Sequence, residues 1–195
     1  MKANFVKTFI PVKDFVAVEK VGNKILVRFD AVKDADMDAY SCVEGSVSAS
    51  EYNEQEVRRE YEAWKQKWAE KALVLAKKTK IAEIAAYDTS DKVNGFMLNG
   101  LLVWLDKATR VGLMNSTTIA KAAGQQTTTL WLGGLKLVVD CDKAIQLLSA
   151  LEMYALECFN VTASHKQAVS ELATIEEVEA YDYKAGYPKM LSMSV

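Results

Sequence analysis

Three groups of residues have the side-chain types that chemistry needs. His165 is the sole histidine and follows Cys158 by seven residues, so a thiolate–imidazole pair is conceivable on one helix face. Seven residues of helix span about 10 Å, beyond direct hydrogen-bond reach, and His165 is expected to bond locally or to face solvent. Glu176, Glu177, Glu179 and Asp182 could supply a general acid and base, but glutamates at this position suit the first turn of a helix equally well. Asp140 and Asp142 flank Cys141; calcium needs more oxygen ligands than one short segment provides, and helix starts account for both aspartates. Gly133-Gly134 lacks the Lys-Ser/Thr continuation of a phosphate loop and reads as a hairpin turn. The sequence therefore predicts no enzyme, no cofactor and no metal. Two aromatics, Trp131 and Tyr187, are the candidates for stacking on a ligand.

The elements that must position these residues begin with a plan that occurs twice between residues 96 and 145. In the first copy, residues 96–98 and 101–105 flank an Asn99-Gly100 turn and lead into a helix at Asp106. A two-residue turn sets Leu98 opposite Leu101, Met97 opposite Leu102 and Phe96 opposite Val103. Both faces of this hairpin are then apolar, so it must be covered by its own core or by another chain. In the second copy, residues 130–132 and 135–139 flank Gly133-Gly134 and lead into a helix at Asp142. Its Leu130, Leu132, Leu135, Leu137 and Val139 share one face, leaving Trp131 and Lys136 on the other, placed for a cation–π pair.

Between the hairpins, residues 106–123 read as a helix stopped at Gly124. Residues 142–172 read as one or two helices carrying Ile145, Leu148, Leu151, Ala155, Cys158 and Phe159 into the core. Thr174 with Glu177 has capping-box spacing.

Residues 48–86 contain neither Gly nor Pro, and Ser48 with Glu51 fits a capping box, predicting one long helix. At about 1.5 Å per residue such a helix exceeds what a small domain needs. Val57, Tyr61, Trp64, Trp68 and Leu75 recur on one face, a stripe that packs either on the same chain or on a second copy. Lys71 and Lys78 interrupt any strict heptad seam. Residues 1–47 read as strands at 5–10, 15–18, 25–29 and 40–43, with a long turn before Ile25 and an acidic loop over 30–38.

The fold class is thus α+β, with a small N-terminal antiparallel β region (1–47), a long connecting helix (48–86) and a C-terminal domain with a repeated hairpin–helix plan (87–195). The chain has 195 residues, half of them apolar, and a formal net charge of -2. It can bury a substantial core but offers no field that would attract nucleic acid or an anionic membrane. No apolar run reaches the roughly 20 residues a membrane span needs, so a cytoplasmic protein is expected. Cys42, Cys141 and Cys158 are widely spaced and read as reduced, buried thiols.

Residues 80–188 resemble a domain of unknown function found in phage and prophage proteins, sometimes encoded near tail-fibre and tail-fibre-assembly genes. The resemblance is carried by residues 81–90, Asn99-Gly100, residues 104–113, Thr129-Leu130-Trp131, residues 150–155 and residues 179–188; residues 1–79 lie outside it. It implies a non-enzymatic virion-associated structural or assembly protein, made in the bacterial host cytoplasm and incorporated into the particle or assisting its assembly. The partners it implies are further copies of the chain or a phage tail or head protein. The interface would then use Val57, Tyr61, Trp64, Trp68, Leu75, Met97 and Leu102. The alternative is a carbohydrate- or small-ligand-binding module built on Trp131 and Tyr187.

Overall fold

The computed structural model describes residues 1–195, which divide into two units, Met1–Ala72 and Leu73–Val195. Strands and helices of both kinds are present, giving the α+β class.

In the first unit, alternating apolar residues form β1 (Asn4–Pro11), β2 (Val18–Val21), β3 (Lys24–Asp34) and β4 (Ala39–Ser48). These strands make one antiparallel sheet in the order β1-β4-β3-β2. Val21 pairs with Lys24 across Gly22-Asn23, so the turn expected to be long has two residues, with Gly22 at φ +59°. The expected acidic loop is also shorter, because β3 continues to Asp34. Asp30 takes φ +49° and the register shifts between Phe29 and Val32, a bulge that absorbs an extra residue and lets pairing resume. Gly45 lies between Phe5 and Val27 in the register; a Cβ there would stand 2.8 Å from Phe5 Cε1, so the bare backbone makes room for the ring.

Helix α1 (Glu54–Asp88) gives its first turns to this unit. Its cap is Asn53, whose Oδ1 accepts from the Gln55 and Glu56 amides at 3.0 and 3.2 Å. The expected Ser48 capping box does not form: Ser48 ends β4 and its hydroxyl bonds that of Ser50. Val57 is fully buried against Val27 and Val47, with Phe5, Phe29 and Tyr52 packed around them.

The second unit holds the last turns of α1, then α2 (Asp91–Asn94), β5 (Phe96–Leu98), β6 (Leu101–Val103), α3 (Lys107–Ala122), β7 (Thr127–Leu132), β8 (Leu135–Asp140), α4 (Cys141–Glu171), α5 (Ile175–Ala180) and β9 (Ser192–Met193). Both hairpins adopt the register their turns dictate: Met97 pairs with Leu102, and Trp131 with Lys136. Asp106 caps α3 by accepting from the Thr109 amide, and Gly124 follows it at φ +84°. In the second copy the cap is Asp140, which accepts from the Asp142 and Lys143 amides, two residues before the expected start. Helix α4 is a single helix of 31 residues. The Thr174/Glu177 capping box on α5 is complete. A short parallel pairing of β9 with β5 completes a three-stranded sheet in the order β6-β5-β9, an element without a sequence signal.

The core of this unit is aliphatic. Phe96, Leu98, Val103, Leu130, Leu132, Leu148 and Leu151 are all buried in one cluster, and Ile84, Val169 and Val178 form a second. The first hairpin buries Phe96, Leu98 and Val103 but leaves Leu101, on that same face, and Leu102, on the other, each 53% exposed. Phe159, expected in the core, is exposed because α4 turns Leu151, Ala155 and Cys158 inward instead.

Candidate functional site

In the first unit the helix stripe forms a stack of rings. Phe29 and Tyr61 lie face to face at 4.3 Å between centroids, tilted by 9°. Trp64 follows Tyr61 at 5.9 Å, and Trp68 follows Trp64 at 5.6 Å. The spacing of three and four residues along a helix produces this ladder, since such residues are surface neighbours. Lys65 sits over the Tyr61 ring and Lys7 over the Trp68 ring, at 5.3 and 5.2 Å from their centroids. The Tyr61 hydroxyl donates to Asp30 Oδ2 at 2.5 Å; burial, then the Asp30 carboxylate, push its ionisation well above the usual tyrosine range. Val57 and Tyr61 are buried in the chain's own interior. Trp64 is half-buried, while Trp68, at the end of the ladder, is 49% exposed.

In the second unit the remaining interface candidates are spread out. Leu75 on α1 is exposed, Leu102 is exposed on the edge strand β6, and Met97 is half-buried between β6 and β9. Sequence reasoning missed a further apolar stripe on α4, where Met153, Leu156 and Phe159 recur every three residues and all face solvent.

That stripe borders a cleft of about 410 Å³ lined by the ends of α1 and α2, the loop into α3, the first turns of α3, and α4. Trp104, Leu156 and Phe159 supply apolar wall, and Arg110 with Glu152 lies at the polar side. The Arg110 side chain is only 9% exposed. Its Nε donates to Glu152 Oε1 at 2.9 Å and its Nη1 to the Leu105 carbonyl at 2.8 Å. The two partners are 42 residues apart, so spacing could not reveal them. The one local hint is a cation in the first turns of a helix, where the dipole disfavours it. Nearby, Asp106 accepts from the Thr109 amide and hydroxyl, which holds its carboxyl below the usual range.

The chemistry candidates separate. Cys158 is buried and its thiol donates to the Val93 carbonyl at 3.3 Å, beside the Tyr154 hydroxyl on the same carbonyl at 2.8 Å. Burial raises the thiol above its ordinary value and pushes Tyr154 up to about 12. His165 instead lies 2.9 Å from both the Tyr181 hydroxyl and the Ala185 carbonyl. The carbonyl can only accept, so Nε2 donates to it, and in the neutral ring Nδ1 is the acceptor for Tyr181. Glu177 serves α5 as its capping-box partner, and the Ala173 and Thr174 amides hold its carboxyl below the usual range. No group of three or more His, Cys, Asp or Glu side chains converges as a metal ion would require, and no helix is long and apolar enough to cross a membrane.

Of the two stacking candidates, Trp131 is exposed and stands opposite Lys136 without the expected cation–π contact. Tyr187 is half-buried, its hydroxyl 2.8 Å from that of Thr162 and its ring in T-shaped contact with Tyr87.

A family model described as a domain of unknown function (DUF4376) matches residues 75–185, more than half of the chain and nearly the stretch that carries the resemblance. No curated protein and no solved structure matches the chain.

Proposed function

The chain belongs to the DUF4376 family, and from that premise we propose that it works without catalysis, through protein–protein association, as a structural or assembly protein of a phage or prophage particle. The particle assignment rests on the sequence resemblance. The association reading rests on one observation: the ring ladder of Phe29, Tyr61 and Trp64 ends in Trp68, whose indole is left 49% exposed. An exposed tryptophan backed by packed rings is rigid and loses little entropy when covered, the character of an interface anchor.

Light scattering of the full chain tests the reading. Wild-type protein should form an oligomer whose mass falls in Trp68→Glu, while far-ultraviolet circular dichroism stays unchanged. The double variant Trp64→Glu with Trp68→Glu should disrupt association further and leave the second unit folded. A wild-type chain that is monomeric across the accessible concentration range, and binds no tail or head protein, would sink the proposal.

A further inference from the structure

We infer that the cleft beside Trp104 is a binding site for a neutral saccharide, a role separate from association through Trp68. Asp88, Asp106 and Glu152 face Lys107 and Arg110 around the cleft, three carboxylates against two cations, so neither an anion nor a cation meets a matching field. Most of these charges are already satisfied within the fold. Arg110 is held by Glu152 and the Leu105 carbonyl, Asp106 by Thr109, and Asp88 by the Thr162 hydroxyl at 2.8 Å.

What remains open is a set of single hydrogen-bonding positions. Arg110 Nη2, the Lys107 ammonium, the second oxygens of Glu152 and Asp88, and the Trp104 indole N–H have no partner in the chain. Donors and acceptors therefore both remain on a cleft whose apolar lining includes Trp104, Phe159 and Leu156. A wholly apolar ligand would strip water from these polar atoms without replacing their hydrogen bonds, at a cost. A sugar ring meets both demands: its hydroxyls each donate and accept, and its C–H face packs on an aromatic wall. The size also agrees, since about 410 Å³ lies within the roughly 300–1,000 Å³ of small-molecule sites. Arg110 suits the role because its guanidinium is fixed in advance by two hydrogen bonds, so little order is lost when a hydroxyl binds to the third nitrogen.

The experiment is saturation-transfer NMR on the full chain with glucose, galactose, N-acetylglucosamine and lactose. At least one should bind saturably, roughly tenfold or more weaker in Trp104→Ala, partly restored in Trp104→Phe, and unaltered in Trp131→Ala. Trp104 lies outside the buried core, so its variants should keep the wild-type circular dichroism, which checks that lost binding is local. The inference fails if none of the four sugars saturates, if binding survives Trp104→Ala, or if it disappears in Trp131→Ala. Self-association through Trp68 is read separately by light scattering and stands or falls independently.

Discussion

The two units solve the problem of a core with different materials. The first has one sheet and one helix segment, and only Val27, Val47 and Val57 form its buried cluster. Rings complete it: Phe5, Phe29, Tyr61 and Trp64 make five ring contacts at 4.3 to 6.3 Å between centroids. The second packs two hairpins with helices and fills its interior mainly with leucine and valine, joined by Phe96, Ala144, Tyr154 and Cys158. A single layer of helix on sheet leaves an open margin, which large flat side chains can close without complete burial, whereas interdigitated aliphatic side chains need enclosure on every side. The exposed rim of rings in the first unit is thus a consequence of its construction, and the same rim supplies its candidate interface.

That contrast can be broken or sharpened by substitution. The largest effect is expected from Phe96→Ala, which removes a fully buried ring from the second unit and should cost about 3–5 kcal/mol in a urea titration. If the units are energetically separate, the near-ultraviolet signal of the Trp64–Trp68 stack survives until its own transition; a single shared transition would mean that α1 couples them. Tyr61→Phe is the counterpart in the first unit. It keeps the stacked ring and deletes the hydrogen bond to Asp30, with an expected loss of about 1.5 kcal/mol.

The same tyrosine gives a titration test. Its folded-state ionisation is raised, so its contribution is fully present below the ordinary tyrosine value of about 10 and is lost as pH rises through the folded value. Absorbance titration should show a late component that Tyr61→Phe removes.

Smaller still, Thr174→Ala should cost about 1 kcal/mol and fray α5 in hydrogen exchange without moving the first unit's transition. The smallest effect should come from acid. Glu177 is depressed by the amides it caps, so its contribution is present above the ordinary carboxylate range and declines as pH falls through its lower folded value. Exchange protection of α5 should decline with it, and Glu177→Gln should flatten that response.

How legible each region was follows from the range of the interactions that decide it. Asn99-Gly100 and Gly133-Gly134 set both hairpin registers locally, and Thr174 with Glu177 wrote its cap within four residues. At the start of α1 tertiary structure overrode the local signal: Ser48 was claimed by β4, and Asn53 became the cap. The bulge at Asp30 hid the true length of β3, since it interrupts the alternation on which strands are recognised. The cleft was the least legible feature. Arg110 and Glu152 meet only because α3 packs on α4, and nothing near either residue names the other. The helix stripe was visible, but its division into buried Val57 and Tyr61 and exposed Trp68 depends on where the sheet ends.

Gly45 carries a consequence for how the first sheet assembles. Sliding β1 by two residues along β4 would keep every side chain on its proper face, so face alternation alone cannot forbid that error. The glycine does: in the native alignment Phe5 fills the space that a Cβ would occupy, while a slide of two either way brings its ring against the side chain of Val43 or Val47 and leaves Ala3 or Lys7 over the vacant place. The missing side chain therefore acts as an index notch, and Gly45→Ala should weaken the sheet's choice of alignment as well as its stability.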